Sequence, residues 1–430
     1  MEFDALVIGG GIAGMESALN FGNMGYKVLL VEKEPSIGGK MILLSKVFPT
    51  LDCASCISTP KMAETAHHPN ITLMTYTEVE EIARQENGSF KVRLLKKPRY
   101  INEPACTGCQ QCEIACPIMV PDEFNFGLVA RKAAYIPFPQ AVPKKAVIDL
   151  DNCILCGACE RVCPAECIDF TQTPQELEYN VGSVILATGF KLFPAEQKPQ
   201  YGYGKYKNVI TSMQMDRLLS PTRPYNTVLR PSDGKVPENI AYVLCTGSRD
   251  QTVNNPICSQ ICCMYSTKHA QLLMGALPLV DITIYYMDIR AFGKGFEEFY
   301  QQAKAMGTNF VRGRVAKIEE KENGNLLVHY EDIENGATKR VAEHDLVVLS
   351  VGILPELEIM KVFKKQELQT DQFSYIKQLD EDMEPSKTSL EGVFVAGTAS
   401  APMDIPDSVL RAGAAAAQAA AYIEKTRRAK

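Results

Sequence analysis

The chain carries no excess of basic residues. Its 45 Lys+Arg stand against 51 Asp+Glu, for a net charge of -6 and a pI near 5.6. Nucleic-acid binders gather positive charge, so no nucleic-acid partner is expected. Nor is there an apolar run of the roughly 18 residues that a membrane-spanning helix needs. The start, Met-Glu-Phe-Asp, places no basic stretch before an apolar one. No secretory signal is therefore expected, and the protein reads as cytoplasmic. Histidine is scarce, at 5 residues, and the pair His67-His68 before Pro69 reads as a loop rather than a ligand pair. With 430 residues, 46% hydrophobic and 22% charged, the rest is ordinary for two or three globular domains.

Cysteine is not scarce. There are 15, and without an export signal they point to metal or redox chemistry rather than disulfides. Four read Cys106-x2-Cys109-x2-Cys112-x3-Cys116-Pro117, and four more read Cys153-x2-Cys156-x2-Cys159-x3-Cys163-Pro164. This is the two-cluster ferredoxin run, in which three close thiolates hold one cubane and the fourth crosses to the other. Cys106, Cys109, Cys112 and Cys163 are thus expected to hold one [4Fe–4S] cluster, and Cys153, Cys156, Cys159 and Cys116 a second. Single zinc ions rarely use so compact a four-cysteine string. In the 36 residues between the runs, Phe126 to Tyr135 is read as a short helix. Cys167, in the apolar stretch after the second run, is read as a buried structural thiol.

The N-terminus has a second pattern. Asp4–Ile8 reads as a buried parallel strand, followed by Gly9-Gly10-Gly11-Ile12-Ala13-Gly14 and a helical stretch from Met15 to Met24. A second apolar strand, Val28–Val31, ends in Glu32, 18 residues past Gly14. Strand, G-x-G-x-x-G, helix, strand and acid form the dinucleotide-binding fingerprint. The glycines let backbone N–H groups approach a pyrophosphate, and the acid accepts ribose hydroxyls.

Further pieces extend this pattern. Lys33 to Lys40 includes Gly38-Gly39, residues 184–189 read Val-Ile-Leu-Ala-Thr-Gly, and residues 392–397 read Gly-Val-Phe-Val-Ala-Gly. These resemble the fingerprints of flavoproteins with two dinucleotide domains, the thioredoxin-reductase-like fold. The resemblance implies FAD at the first site. It implies contacts from Gly9, Gly11, Ile12, Ala13, Gly14, Glu32, Lys33, Gly39, Lys40, Ala187, Thr188, Gly189, Gly397, Thr398 and Ile405. Thr398 stands where that family usually has Asp.

The second such unit should bind a nicotinamide nucleotide, with a strand at Ile240–Leu244, a helix over about 259–274 and a strand from Asp281 to Met287. Its connection reads Cys245-Thr-Gly-Ser-Arg-Asp250 and runs on to Cys258-x3-Cys262-Cys263, without the glycine fingerprint. A third, atypically coordinated cluster on Cys245, Cys258, Cys262 and Cys263 is expected in place of the nucleotide.

Together these features resemble the A-type chains of heterodisulfide reductase. The likeness rests on Phe48-Pro-Thr-Leu-Asp-Cys-Ala-Ser-Cys56, Thr59-Pro-Lys-Met62, Lys97-Pro-Arg-Tyr100 and the ferredoxin insert. It continues through Tyr135 to Pro143, Cys258 to Cys263, and Pro402-Met-Asp-Ile405. It implies an FAD- and iron–sulfur-containing electron-transfer subunit of a soluble complex, with electron bifurcation or confurcation in its range. The implied partners are B- and C-type iron–sulfur subunits, ferredoxin, and a hydrogenase- or dehydrogenase-linked input subunit, with the chain a homodimer inside the assembly. Long members carry further N- and C-terminal domains; this sequence is expected to be a short form with one ferredoxin module. Cys53 and Cys56 either help hold a fourth cluster, form a redox dithiol, or are structural. Lys268, five residues past Cys263, is expected to tune the flavin or else to lie on the surface.

The expected fold is α/β, with two Rossmann-like domains and an inserted α+β ferredoxin module. The FAD domain is drawn at 1–96, 177–236 and 341–430, the insert at 97–176, and the degenerate nucleotide domain at 237–340. The Ala412–Ala421 run is read as a helix too short to span a membrane, and Asp404 or Asp407 as its cap. Two other functions compete: an NAD(P)H-dependent oxidoreductase of glutamate-synthase or thioredoxin-reductase type, and a non-catalytic cluster scaffold.

Overall fold

A computed structural model describes residues 2–363 and 368–428. It divides into two compact units. The first comprises Met1–Ile42, Ile57–Phe190 and Pro355–Lys430; the second comprises Leu43–Cys56 and Lys191–Leu354.

The core of the first unit is a sheet in the order Gln378–Asp380, Glu384–Thr388, Val393–Val395, Gln175–Leu186, Phe3–Ile8, Val28–Val31, Ile71–Met74. From Val393–Val395 to Ile71–Met74 the strands are parallel. Parallel strands covered on both faces read as continuous apolar runs, and Val28–Val31 is buried at every residue. The helix Ile12–Asn23 makes the crossover from Phe3–Ile8 to Val28–Val31. Against it packs the helix Ile405–Arg428, whose Ala412, Ala415, Ala416, Ala419 and Ala420 join Ala13, Ala18 and Phe21 in one buried cluster. The alanine run is therefore a core stripe whose small side chains sit in the helix interface. Among the described residues, no helix is long and apolar enough to cross a membrane.

The strand Gln175–Leu186 changes character midway. Its first half alternates in exposure and pairs antiparallel with Phe90–Lys96; its second half is wholly buried in the parallel sheet. Because Lys96 is directly opposite Gln175, residues 97–174 leave and rejoin the sheet at a single register step. This excursion is closed at its base by the Ile101–Ile168 bridge. It holds two five-residue helices, Gln111–Ala115 and Ala158–Val162. The helix expected at 126–135 is absent. Met119–Pro121 pairs with Ala130–Lys132, and Ala134–Tyr135 pairs with Val147–Ile148. Asp122 accepts from Phe124 N–H (3.0 Å) and Asn125 Nδ2 (2.6 Å), an Asx-type turn that competes with helix.

The second unit has the sheet order Val209–Thr211, Leu346–Val351, Asn239–Thr246, Asp281–Tyr286, Asn309–Glu320, Leu326–Asp332, Thr338–His344. Its first five strands are parallel and the rest form an antiparallel meander. The helix Cys262–Ala276 crosses between Asn239–Thr246 and Asp281–Tyr286. The seams at 190/191 and 354/355 differ from those drawn on sequence at 236/237 and 340/341. The reason is the parallel pairing of Val209–Thr211 with Leu346–Val351, which draws residues 191–236 and 341–354 into this sheet.

His344 is buried here, with Nδ1 2.6 Å from Asn239 Oδ1 and Nε2 3.0 Å from Tyr285 Oη. A neutral ring satisfies both contacts, donating to the amide oxygen and accepting from the phenol. Burial pushes its pKa down to about 4. The unfolded chain therefore binds more protons than the folded one between the ordinary histidine value and about 4. The neutral ring's contribution is complete above about 6.5 and is lost as pH falls toward 4, by about 3 kcal/mol in all. Denaturant unfolding from pH 7 to 4 should be steeper in the unmodified chain than in His344→Gln; parallel curves would refute this.

Candidate cofactor sites

Three glycine-bearing loops of the first unit converge. Gly9 has φ 105°, and a Cβ there would lie 2.4 Å from the Ala187 carbonyl oxygen. Gly39 has φ 55°, and a Cβ there would lie 2.7 Å from Gly11 Cα. A Cβ on Gly397 would lie 2.7 Å from the Ala13 methyl. The loop after the first strand thus touches each of the other three fingerprint segments.

Gly11 is different. Its φ is -74° and ψ -175°, open to any residue, and the nearest heavy atom to a Cβ there is 3.8 Å away. Nothing in the protein itself requires glycine at 11. It caps the helix Ile12–Asn23 with no side-chain hydrogen bond, leaving the first-turn N–H groups for an anion. Nearby, Thr188 Oγ1 is buried without a hydrogen-bond partner among the described residues. An open glycine, an uncapped helix start and an orphaned hydroxyl together fit a dinucleotide.

Glu32 ends the second strand. One oxygen accepts from Gly10 N–H at 2.6 Å and the other from Glu34 N–H at 2.8 Å. Burial raises its pKa, partly offset by those two donors. A carboxylate has about four acceptor positions, so capacity remains for ribose hydroxyls. Lys40 is held down in pKa by burial, with Nζ 5.1 Å from the centre of the Phe190 ring. Lys33 extends to solvent toward Glu356 and Glu358, at 3.9 and 3.6 Å. Gly189 has φ 72°, and a Cβ there would lie 4.0 Å from Thr398 Oγ1. Ile405 opens the last helix, and Asp404 Oδ1 caps it by accepting from Asp407 N–H at 2.9 Å.

In the insert, the eight cysteines of the two runs divide four and four. Cys106, Cys109, Cys112 and Cys163 line one cavity; Cys116, Cys153, Cys156 and Cys159 line another. Among the described residues, no three Cys, His, Asp or Glu side chains draw close enough for a single metal ion. A cubane spreads its four thiolates around a larger body, and the two cavities fit that. Each helix begins just after a left-handed residue, Gln110 (φ 66°) or Gly157 (φ 68°), which turns the chain sharply between successive thiols. Burial pushes the Cys112 thiol up to about 12, so its thiolate gains most from a cation beside it.

In the second unit, Cys245 lies near the end of the strand Asn239–Thr246 with φ 57°, and Cys262 and Cys263 open the helix Cys262–Ala276. Burial raises Cys245 to about 11 and Cys263 to about 12 and pushes Cys262 well above the ordinary thiol value, and each is raised again by its neighbours in the set, Cys258 included. Two buried thiols, Cys262 and Cys263, with two half-buried ones, Cys245 and Cys258, suit a cationic centre that would favour their thiolates. Gly247 gives no pyrophosphate path: a Cβ there would lie 2.1 Å from the Phe193 ring, so the space above it is filled.

Cys53 pairs with Lys46 in an isolated bridge, and its Sγ accepts from Cys56 N–H at 3.2 Å, at the start of the helix Ala54–His67. That helix ends at His67, whose Nδ1 lies 2.8 Å from the Ala63 carbonyl; His68 stands past it as expected. Lys268 is not on the surface. It is 1% exposed, and its Nζ donates to Asp216 Oδ1 (2.8 Å) and the Lys46 carbonyl (3.0 Å). Asp216 also accepts from Ser45 N–H and Oγ–H, with His269 Nε2 2.9 Å from its other oxygen. Burial opposes its ionisation, but Lys268 and His269 outweigh that and hold it well below the usual carboxylate range. This knot fixes Ser45 and Lys46, and through the Lys46–Cys53 bridge the Cys53–Cys56 turn. Sequence reading missed Asp216, which stands 52 residues from its lysine with no motif around it.

Lys268→Met would leave the Asp216 carboxylate buried without its cation, at a cost of about 3–5 kcal/mol. Denaturant unfolding should show a lower midpoint for this variant, and an unchanged midpoint would remove the knot from the stability account.

Comparison with known proteins agrees with this geometry. Residues 4–52 match the family model "FAD dependent oxidoreductase", and residues 105–168 match "4Fe-4S dicluster domain". The A-type iron–sulfur chain of the CoB–CoM heterodisulfide reductase of Methanocaldococcus jannaschii is 47% identical over 97% of this chain and 64% of its own length. The A-type chain of the H2:CoB-CoM heterodisulfide,ferredoxin reductase of Methanothermobacter thermautotrophicus is 45% identical over 97% of this chain and 63% of its own. Among solved structures, thioredoxin reductase of Lactococcus lactis superposes with a TM-score of 0.55 at 15% identity, covering 98% of this chain and 99% of its own. That of T. acidophilum gives 0.54 at 14% identity, covering 98% of each chain. The fold is thus thioredoxin-reductase-like. Over nearly its whole length the chain is similar to the A-type chains of heterodisulfide reductase, and it spans about 64% of the first of those relatives.

Proposed function

We propose that the chain is the FAD- and iron–sulfur-bearing electron-transfer subunit of a heterodisulfide-reductase-like complex, and so an oxidoreductase. The observation that carries this is Gly11, where the protein's own packing leaves room for a Cβ and which stands at an uncapped helix start. The division of eight cysteines between two cavities adds to it. A bound flavin exchanges electrons singly or in pairs, whereas each cluster takes one at a time. Gly9, Gly11, Gly14 and Gly39 admit the pyrophosphate, and Glu32 holds the adenosine ribose. Thr188 and Thr398 offer hydroxyls to the rest of the ligand. Ile405 begins the helix whose positive end favours negative charge.

Cys245, Cys258, Cys262 and Cys263 hold a third cluster in this reading, and Cys53 and Cys56 contribute to a fourth or act as a dithiol. Lys268 acts on the flavin only through the turn it anchors. Partners are the B- and C-type iron–sulfur subunits and an electron-input subunit. Bifurcation belongs to the assembled complex. The NAD(P)H-dependent alternative loses its nucleotide path at Gly247, which lies against Phe193.

Two measurements test this. Gly11→Ala should keep its fold, because the nearest heavy atom to the new Cβ is 3.8 Å away, yet purify with little or no FAD. Full flavin content in that variant, or stoichiometric NAD(H) in the unmodified protein, would count against the assignment. Iron should number about 12 per chain, or about 16 with a fourth cluster, at four irons per cubane. Cys258→Ser should remove about four while leaving the ferredoxin-type signals. An unchanged iron count would eliminate the third cluster.

A further inference from the structure

Five cysteines, not four, line the first cavity of the insert. The fifth is Cys167, which is buried. Its Sγ lies 3.4 Å from Cys163 Sγ, and its backbone N–H points to the same sulfur at 3.5 Å. The local backbone is built to put it there. Glu166 takes a left-handed conformation, φ 47°, which non-glycine residues rarely adopt. The turn is closed by Glu166 N–H to the Cys163 carbonyl (3.2 Å), so the chain doubles back on the ligand it has just passed. The Cys167 carbonyl then accepts from Asn102 N–H at 2.7 Å, and Ile168 bridges to Ile101. Cys167 is thus held in position from outside the cavity as well.

The internal repeat supplies a comparison. Cys116 corresponds to Cys163 in the first run, and four residues past it stands Val120, not cysteine. Cys167 offers Cys163 two donors, its backbone N–H and its thiol, and the thiol is also within hydrogen-bond reach of Cys106, a ligand of the same cluster in this assignment. Once Cys163 is an iron-bound thiolate, only Cys167 carries a hydrogen to share, so the direction of the bond is fixed. Hydrogen bonds to the ligand sulfurs draw electron density from a cluster and raise its reduction potential.

We propose that Cys167 is a positioning thiol for the first [4Fe–4S] cluster: it donates an S–H···S hydrogen bond to the Cys163 ligand and sets that cluster's potential above the value it would otherwise have. The two clusters of the insert are thereby made unequal, which gives electrons a preferred resting place. The proposal rests on the ligand assignment of the preceding subsection.

The test is a redox titration of the full chain, with flavin and clusters in place, followed by electron paramagnetic resonance. In Cys167→Val, which reproduces Val120, one ferredoxin-type signal should move to a more negative midpoint. The other should stay, and the iron content should not change. Cys167→Ser, which restores a donor, should move the midpoint back toward that of the unmodified protein. Identical midpoints in Cys167→Val and the unmodified protein would overturn the proposal. So would loss of about four irons in either variant, which would make Cys167 a ligand instead. Cys109→Ala should abolish the signal that moved. If that signal survives, the ligand assignment is refuted, and the proposal falls with it.

Discussion

Close packing of backbone at Gly9 and Gly39 against other backbone, and at Gly397 against the Ala13 methyl, is the constraint on which the first unit depends. At each of these positions a Cβ would come within 2.7 Å of another segment's atoms. The contacts gather residues near 9, 39, 187 and 397 at the ends of adjacent parallel strands. A ligand crevice at such strand ends is the expected product of this topology. Gly14 belongs to the same arrangement, since a Cβ there would lie 1.7 Å from the Gly9 carbonyl oxygen. All four of these glycines are spent on close approach to neighbouring atoms. Gly11, by contrast, has open surroundings.

The same economy explains the insert. Lys96 and Gln175 are partners in one ladder, so the excursion between them can be long without disturbing the sheet. The burden of order inside it falls on short turns, a few bridges and the cysteines. The buried thiols of both units are costly to ionise in isolation, so their surroundings favour a bound cationic centre. The Asp216–Lys268 knot performs a related service in the second unit. A buried ion pair costs desolvation, and here it gains a fixed position for the turn carrying Cys53 and Cys56.

What the sequence alone determined is everything encoded at short range. The two four-cysteine runs, the G-x-G-x-x-G loop with its acid 18 residues on, and the alanine-rich terminal helix are local patterns whose spacing is their chemistry. The placing of Cys163 with the first run and Cys116 with the second follows the ferredoxin pattern of the spacing, and the two cavities are lined in that way. Tertiary structure decided what depends on partners far along the chain. The segment 126–135 supplies a strand to each of two antiparallel pairs because an Asx turn and strand pairing outweighed helical propensity. Lys268 went inside because Asp216, 52 residues away, met it there. Residues 191–236 joined the second sheet because Val209–Thr211 found Leu346–Val351. Cys167 faces a cavity rather than the packing core because Glu166 turns left-handed and Asn102 holds the returning strand. A composition or a spacing carries no record of such pairings, since they exist only once register and burial have been settled.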